Sequence, residues 1–193
     1  MTTKEKLLAL LEDSKGTFFS GEEIARTLQV SRAAVWKAVN ALREDGYTID
    51  AATNKGYRLS PDSDILSPQG IRRFLKPEYR DLDLAVLPTA PSTNALVREK
   101  ANQGRPEGCI IIACEQTDGR GRYGRQFFSP VDSGVYLSLL LRPTAYSPQQ
   151  ATCLTAAAAA AMCQAIEAVT GQQPGIKWVN DIFLRGKKVC GIL

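Results

Sequence analysis

The amino-acid sequence predicts an α+β protein of two domains, a small helical domain with a β-hairpin followed by a mixed α/β domain. Three observations predict this class. Ser/Thr-led capping patterns precede amphipathic helices within the first 45 residues. Short apolar runs alternate with helical patterns after residue 66. A polar stretch broken by proline, residues 61–66, lies between the two patterns and is the predicted linker. The predicted domains are therefore residues 1–60 and 67–193.

Composition excludes several classes of function. The chain has 193 residues, 44% of them hydrophobic, which is enough for a packed core. It contains no histidine, which excludes Ser-His and Cys-His nucleophilic catalysis and His-ligated zinc. The five cysteines form no Cys-x-x-Cys pair, so we expect them to be reduced, buried core residues of a cytoplasmic protein. We find no apolar run long enough to span a bilayer, and we expect no membrane association.

Net charge is +4, which is too small to identify a partner. Residues 1–60 carry 9 Lys/Arg against 8 Asp/Glu. If the first domain binds nucleic acid, the binding must therefore come from sorting charges onto one face.

The first domain is predicted to contain three helices and two strands. Thr2-x-x-Glu5 and Ser20-x-x-Glu23 begin the first two helices. A turn at residues 29–31 leads into a third helix over residues 32–43, which Gly46 ends. Two short strands, residues 47–50 and 57–59, flank a turn at residues 54–56 and form a wing.

The third helix sorts its side chains into two faces. Val35, Ala38 and Leu42 share an apolar face, and basic and amide side chains share another. This arrangement is typical of a recognition helix that enters the major groove, with arginine reading guanine and asparagine reading adenine. The alternative is a helical bundle with an ordinary solvated face, in which Trp36 packs. The predicted DNA-contacting residues are Ser31, Arg32, Ala33, Trp36, Lys37, Asn40, Lys55 and Arg58.

The second domain begins with a predicted helix over residues 68–75, in which Phe74 points inward, and a strand over residues 82–87. Ser92, Thr93 and Asn94 lie in a turn before a helix that begins at Ala95. Further elements are predicted as a strand (109–114), a strand (134–141), an alanine-rich helix (149–169), a strand (176–179) that ends in Asn180-Asp181, a turn (185–187) and a strand (188–193).

Residues 118–125, which we call the Gly-Arg loop, follow the strand at 109–114. The loop has the sequence Asp-Gly-Arg-Gly-Arg-Tyr-Gly-Arg. Glycines allow close backbone approach to a ligand, and arginines offer planar donors for carboxylate and phosphate. Its formal Gly-x-Gly-x-x-Gly lacks the following helix of a dinucleotide site, and no His-Arg-Asp or Asp-Phe-Gly motif supports a kinase. The loop therefore predicts anion binding, and a solvated basic turn is the alternative.

Five motifs together resemble one family, the biotin–protein ligases. They are Ser92-Thr93-Asn94, Gln116, the Gly-Arg loop, Lys177-Trp178-Val179-Asn180-Asp181 and the strand that begins at Lys188. Because a winged helix precedes them, the chain looks like the bifunctional bacterial kind that is also a biotin-responsive repressor. The resemblance implies an α/β catalytic domain of the biotin/lipoate-ligase type. Its expected reaction joins biotin to ATP as biotinyl-adenylate and transfers biotin to a lysine of a carboxylase carrier domain.

The resemblance also implies roles for individual residues. Arg122 and Lys188 would be catalytic. The biotin-binding residues would be Ser92, Thr93, Asn94, Gln116, Arg120, Gly121, Arg122 and Lys188. The nucleotide-binding residues would be Arg122, Arg125, Lys177, Asn180 and Asp181, with Mg²⁺ held through Asp181. Expected partners are biotin, ATP, the biotin carboxyl carrier domain, operator DNA and a second copy in a homodimer.

Elementary electrostatics independently favours several cations at this site. Two unit charges about 4 Å apart repel by roughly 4 kcal/mol at an effective dielectric near 20. A carboxylate that approaches a phosphate therefore needs more than one cation, and we expect Arg120, Arg122 and Lys188 to converge.

Two other functions stay open at this point. One is a biotin-sensing DNA-binding regulator without catalysis, and the other is a lipoate-type ligase. The family continues through further strands and a small C-terminal β domain, so we expect this chain to represent an incomplete catalytic domain.

Overall fold

The computed structural model describes residues 1–143 and 150–193, and its first part is a three-helix unit with a hairpin. The elements are α1 (Thr3–Asp13), α2 (Gly21–Leu28), α3 (Arg32–Glu44), β1 (Ile49–Ala52) and β2 (Gly56–Leu59). The hydroxyls of Thr2, Ser20 and Ser31 each accept a backbone N–H of the first helical turn. These caps stabilise three helix starts in the positions that the sequence predicts.

The helices enclose a dry core beneath the hairpin. Leu7 and Leu11 of α1 are fully buried, and so are Val39 and Leu42 of α3. β1 pairs antiparallel with β2, and Tyr57 also pairs with Phe19 in the segment before α2. The hairpin is therefore held, near its turn, to the segment that precedes α2.

The second part contains the remaining elements. They are α4 (Pro68–Arg72), β3 (Leu84–Leu87), α5 (Thr93–Asn102), β4 (Ile110–Ala113), β5 (Tyr136–Leu139), α6 (Ala151–Thr170), β6 (Gly175–Lys177), β7 (Asp181–Leu184) and β8 (Lys187–Gly191), with 3-10 turns at Pro77–Tyr79 and Arg122–Gly124.

Two small sheets carry this second part. In the first sheet, β3 and β4 are parallel because α5 crosses over between them, and β5 pairs antiparallel with β4. α5 packs on this sheet through Val97, which joins Ile111 and Leu140 in the core. In the second sheet, β6, β7 and β8 form an antiparallel meander.

The structure corrects several element predictions. α4 ends at Arg72, and Phe74 is 82% exposed, so it does not point inward. Thr93 and Asn94 belong to the first turn of α5 and not to the preceding turn. Asp181 begins β7, a strand that the sequence analysis did not predict. The Asn-Asp pair looks like turn chemistry locally, but pairing with Lys177 and Gly191 on either side draws Asp181 into a sheet.

Helix α6 also corrects the analysis of apolar runs. The segment Thr152–Thr170 is long and apolar enough to cross a membrane, judged by length and composition, and little of it is buried. Its alanines are interrupted by polar residues such as Gln164, so the sequence does not show one continuous apolar run. Gln149, where the helix was predicted to begin, lies outside the described residues.

The two parts of the chain meet where α1 packs on α4. Glu12 of α1 is 5% exposed, and its Oε1 lies 3.5 Å from the Ser67 hydroxyl, which donates to it. The guanidinium of Arg73 lies 3.8 Å from the other carboxylate oxygen. Burial raises the pKa of the nearby Tyr47 phenol, and the Ser67 hydroxyl partly offsets that effect. A buried polar cluster therefore joins the helical unit to the segment after the linker.

Candidate functional site

The start of α5 supplies the first group of site residues. Ser92 is the N-cap, and its hydroxyl accepts the backbone N–H of Ala95 at 3.4 Å. Ser92 and Thr93 are almost completely buried, whereas Asn94 is partly exposed. Helix capping thus explains the position of the Ser92 hydroxyl. The buried hydroxyl of Thr93 needs a hydrogen-bond partner of its own.

That partner is Gln116, which lies just beyond β4. Its Oε1 accepts the backbone N–H of Thr93 at 2.8 Å and the Thr93 hydroxyl at 3.2 Å. Its Nε2 donates to the hydroxyl of Ser129 at 3.2 Å. The Thr93 hydroxyl also contacts the Ser138 hydroxyl of β5 at 2.9 Å. The structure therefore brings together two predicted residues and adds two serines, Ser129 and Ser138, that the sequence analysis missed.

The Gly-Arg loop forms a narrow hairpin. The N–H of Phe127 donates to the carbonyl of Gly119 at 2.8 Å, and the N–H of Gly121 donates to the carbonyl of Arg125 at 2.7 Å. A Cβ at position 119 would lie 2.4 Å from the Phe127 carbonyl oxygen and 2.6 Å from Ser129 Oγ. The first glycine of the loop is therefore required by close backbone packing.

The three arginines of the loop have different surroundings. Arg120 forms an ion pair with Asp118 at 2.9 Å, so its guanidinium is engaged within the loop. Arg122 donates through Nη1 to Asn180 Oδ1 at 2.9 Å, across 58 residues of chain. Arg125 is exposed.

Arg122 and Lys188 are nevertheless connected through a chain of polar contacts. Asn180 accepts from Arg122 and donates through Nδ2 to Asp181 Oδ1 at 3.1 Å. The ammonium of Lys188 lies 2.8 Å from the same carboxylate oxygen. We call Arg122, Asn180, Asp181 and Lys188 the Arg-Lys chain. It links two cations, Arg122 and Lys188, through an amide and a carboxylate at the start of β7.

A cavity of about 260 Å³ opens beside the Arg-Lys chain. Arg122 and Asn180 line it, together with Thr152 and Thr155 from the first turn of α6. The sequence analysis did not predict these two threonines as site residues, because it identified residues 149–169 only as an alanine-rich helix. Their spacing of three residues, which puts both on one helix face, was the available signal. Lys177 lies elsewhere on β6, where its ammonium is 5.6 Å from the Phe183 ring centre.

Asp181 is the carboxylate through which the sequence analysis expects Mg²⁺ to be held. Asp181 is already paired with Lys188, and residues 1–143 and 150–193 contain no cluster of three His, Cys, Asp or Glu side chains able to hold a metal ion. Mg²⁺ in nucleotide sites is commonly held by one or two carboxylates together with substrate phosphates, so the role of Asp181 stays a prediction.

Cysteine chemistry is suppressed near the site. Burial raises the pKa of the Cys190 thiol, although the positive charge of Lys188 opposes this effect. A protonated thiol is a poor nucleophile at neutral pH. The expectation that all five cysteines are buried is confirmed only for Cys109, because Cys153 is exposed and Cys114, Cys163 and Cys190 are partly exposed.

The predicted DNA-binding face is exposed along α3. Arg32, Ala33 and Lys37 are exposed, and Trp36 is 58% exposed, so Trp36 is not a core packing residue. Asn40 is partly exposed. The Ser31 hydroxyl accepts the N–H of Ala34 at 3.2 Å, so it caps the helix.

The wing cations stand over an aromatic ring that the sequence analysis missed. The Arg58 guanidinium lies 4.7 Å and the Lys55 ammonium 6.0 Å from the centre of the Phe18 ring. Arg58 also forms an ion pair with Asp50 at 2.8 Å across the hairpin. Phe18 lies before α2 in the sequence, and nothing in its neighbouring residues indicates a contact with the wing. The pairing of Phe19 with Tyr57 brings it there.

Comparison with known proteins agrees with this two-part architecture. A family model described as HTH domain matches residues 3–58, and one described as Biotin/lipoate A/B protein ligase family matches residues 86–193. The Bifunctional ligase/repressor BirA of Bacillus subtilis (strain 168) is 42% identical over 192 residues, which cover 100% of this chain and 59% of that protein. The protein of the same name from Escherichia coli (strain K12) is 34% identical over 192 residues, covering 100% of this chain and 57% of that one.

A solved structure supports the fold. The biotin protein ligase of Leishmania major in complex with biotin matches with a TM-score of 0.51 and 24% identity, over 62% of this chain and 51% of that one. The chain thus spans slightly less than three fifths of the length of the bacterial relatives named above.

Proposed function

Because this chain belongs to the Biotin/lipoate A/B protein ligase family, we propose that it is the DNA-binding and ligase part of an ATP-dependent biotin–protein ligase that also represses transcription. The helix-turn-helix match and the identity to two bifunctional ligase/repressors support both halves of this proposal. The predicted domain limits, residues 1–60 and 67–193, are part of it.

The observation that carries the ligase half is the Arg-Lys chain. In the first step, a biotin carboxylate oxygen attacks the α-phosphorus of ATP and pyrophosphate leaves. In the second step, the amine of a carrier lysine attacks the acyl carbon, loses a proton, and AMP leaves. Both approaching groups of the first step are anions, and the guanidinium of Arg122 with the ammonium of Lys188 offsets their repulsion.

The remaining site residues divide between the two substrates. Ser92, Thr93, Asn94 and Gln116 would hold the neutral ureido ring of biotin, because buried hydroxyl and amide groups suit a polar uncharged ligand. Arg120 and Gly121 would complete the biotin side. Lys177, Asn180, Asp181 and Arg125 would face the nucleotide, which enters as MgATP, so the metal is supplied with the substrate.

The reaction needs no protein nucleophile, which suits this chain. It has no histidine, and the pKa of the Cys190 thiol is raised. The adenylate is held without a covalent bond, so binding and orientation are the protein's contributions.

The repressor half rests on the exposed face of α3 and on the wing. Arg32, Lys37 and Asn40 would contact bases and phosphates of operator DNA, and Lys55 and Arg58 would contact the backbone. We further propose a cytoplasmic location without membrane association, a carrier domain as acceptor, and a homodimer as the repressing form.

Mass spectrometry of the purified chain after incubation with biotin and MgATP tests the proposal. We expect a mass that corresponds to retained biotinyl-AMP, together with biotin-dependent exchange of pyrophosphate into ATP. Binding of biotin without exchange would favour a non-catalytic biotin-sensing regulator. Preferential adenylation of lipoate in a parallel reaction would favour a lipoate-type ligase.

A further inference from the structure

Ser129 is a buried side chain in an exposed stretch of the chain. It is 2% exposed, whereas its neighbour Phe128 is 86% exposed. It follows the Gly-Arg loop, and its backbone carbonyl accepts the N–H of Gln116 at 2.9 Å. Its side chain also contacts Gln116, so backbone and side chain act on the same residue.

The hydroxyl of Ser129 has one hydrogen, and the structure accounts for it. This hydrogen is donated to the carbonyl of Phe127 at 3.0 Å. Towards Gln116 the Ser129 oxygen can therefore only accept, and it receives the Nε2–H of Gln116 at 3.2 Å. The amide nitrogen of Gln116 must face Ser129, because a reversed amide would set two acceptors against each other.

The opposite side of Gln116 has the matching requirement. Its Oε1 accepts both the N–H and the hydroxyl hydrogen of Thr93. Because the Thr93 hydroxyl donates to Gln116, the 2.9 Å contact with Ser138 must carry the hydrogen of Ser138. Every hydrogen then points one way, from Ser138 through Thr93, Gln116 and Ser129 to the Phe127 carbonyl. We call this the Gln116 hydrogen-bond chain.

The direction of hydrogen donation along this chain determines which hydrogen-bonding group of Gln116 is available to a ligand. Both acceptor positions of Oε1 are used by Thr93, and one Nε2–H is used by Ser129. The second Nε2–H is the group that remains. Gln116 is therefore a hydrogen-bond donor towards a ligand, and it selects a ring that presents an acceptor at this point.

The same serine joins Gln116 to the closure of the Gly-Arg loop. Phe127, which accepts from Ser129, also donates its N–H to Gly119 at the base of the loop. Gly119 leaves the space that Ser129 Oγ occupies, since a Cβ there would lie 2.6 Å from that atom.

We propose that Ser129 is a positioning residue that fixes Gln116 as a donor to the ureido carbonyl and ties this orientation to closure of the Gly-Arg loop. The inference rests on the proposed function, which places biotin at Gln116. It adds Ser129, a residue outside the expected site. It also explains specificity, because Ser129 orients the Gln116 amide so that an N–H group faces the ligand and favours a ligand with a hydrogen-bond acceptor there.

The test compares biotin with 2-iminobiotin, a cyclic guanidine that is protonated at neutral pH and therefore presents N–H donors and a positive charge where biotin presents the ureido oxygen acceptor. Affinities of both ligands are measured by titration calorimetry for the whole chain and for Ser129→Ala. In the unaltered chain we expect biotin to bind more tightly. In Ser129→Ala we expect biotin affinity to fall by about tenfold, the usual cost of one hydrogen bond to a buried group. The ratio of the two affinities should also shrink, because the amide can turn.

Two variants make the comparison specific. Ser133→Ala removes an exposed serine whose hydroxyl likewise donates to a backbone carbonyl, that of Pro130 at 2.9 Å, and it should leave both affinities unchanged. Ser129→Cys keeps the shape of the side chain with a weaker hydrogen-bonding group, and should shift the ratio in the same direction by less. Ser129→Cys replaces Ser129→Ala in the affinity comparison if Ser129→Ala does not fold.

The outcomes separate the two hypotheses. An equal loss of affinity for both ligands in Ser129→Ala would mean a merely structural role and would overturn this inference, while leaving the proposed function intact. Unchanged affinities would overturn it as well. Failure of the unaltered chain to bind biotin would instead remove the proposed function on which it rests.

Discussion

Arg122 shows how a single side chain connects the Gly-Arg loop to the second sheet. Its guanidinium donates to Asn180 and to the hydroxyl of Tyr123, which lies at 3.2 Å. Both contacts are exposed to solvent, where such interactions contribute little to folding stability. We therefore propose that Arg122 holds a charge at the cavity beside Asn180, and we expect its removal to affect ligand binding more than the stability of the fold.

We predict that Arg122→Ala weakens retention of biotinyl-AMP by about 2 kcal/mol, the usual cost of losing a charged hydrogen bond. Dissociation of the adenylate, followed after rapid dilution, measures this effect. Arg32→Ala is the matched control, since it removes an exposed arginine of α3 and should weaken operator binding while adenylation continues. Equal retention of the adenylate in both variants would show that Arg122 has no such role.

The sequence predicted only some of the individual residues of the site. Thr93 and Gln116 belong to motifs that carry the family resemblance, and the structure brings them into contact. Ser129 could not be identified in this way, because a serine before a proline looks like ordinary turn chemistry. Its importance comes from burial, which depends on how the loop folds back.

The wing, formed by β1 and β2, packs against the segment before α2 only because residue 56 is glycine. Gly56 begins β2 with a φ of +94°, and a Cβ there would lie 2.0 Å from the carbonyl oxygen of Phe19. The two N–H···O bonds between Phe19 and Tyr57, each 2.9 Å, hold the hairpin to the segment before α2. A side chain at position 56 would force these strands apart.

Gly56→Ala should therefore destabilise the first domain by about 3 kcal/mol, from backbone strain together with the steric clash. Gly16→Ala is a matched control with a similar φ of +87°, because its Cβ would meet only Pro61 Cβ at 3.8 Å. It should cost about 1 kcal/mol from strain alone. Urea unfolding followed by circular dichroism measures both. Similar losses in the two variants would show that the contact with Phe19 is unimportant.

The prediction of helices and strands was correct where local sequence signals agree, and it was wrong where pairing with a neighbouring strand determines the structure. The capped starts of α1, α2 and α3 follow from residues within one helical turn. Strand β7 has no such signal. It forms because it lies between β6 and β8, and because Lys188 on the neighbouring strand pairs with Asp181.

For the molecule as a whole, the contact between α1 and α4 joins the three-helix unit to the second part of the chain. Glu12 is the buried carboxylate at that contact, and Ser67 and Arg73 approach it from the other side. A charge in such a place is tolerated only with partners, so the two parts are held in a defined relation. Burial of Ile65 against the first core adds to the same contact.

We expect Glu12→Ala to lower the free energy of unfolding of the first domain by about 2 kcal/mol, since Ser67 and Arg73 are left without their acceptor. Asp45→Ala, which removes the exposed ion pair with Lys4, should change it little. Differential scanning calorimetry of the three chains compares them. If the two variants melted alike, the buried cluster would contribute nothing to the junction.

Residue types and short spacings were enough to predict the two-part organisation, the capped helices, the sorted face of α3 and the chemical character of the Gly-Arg loop. These features depend on neighbouring positions, which set local conformation and amphipathicity. Which polar groups meet depends instead on the fold. Gln116 reaches Ser129 across 13 residues, Thr93 reaches Ser138 across 45, and Arg122 reaches Asn180 across 58. Such contacts depend on the path of the whole chain, because no local propensity specifies a partner that distant.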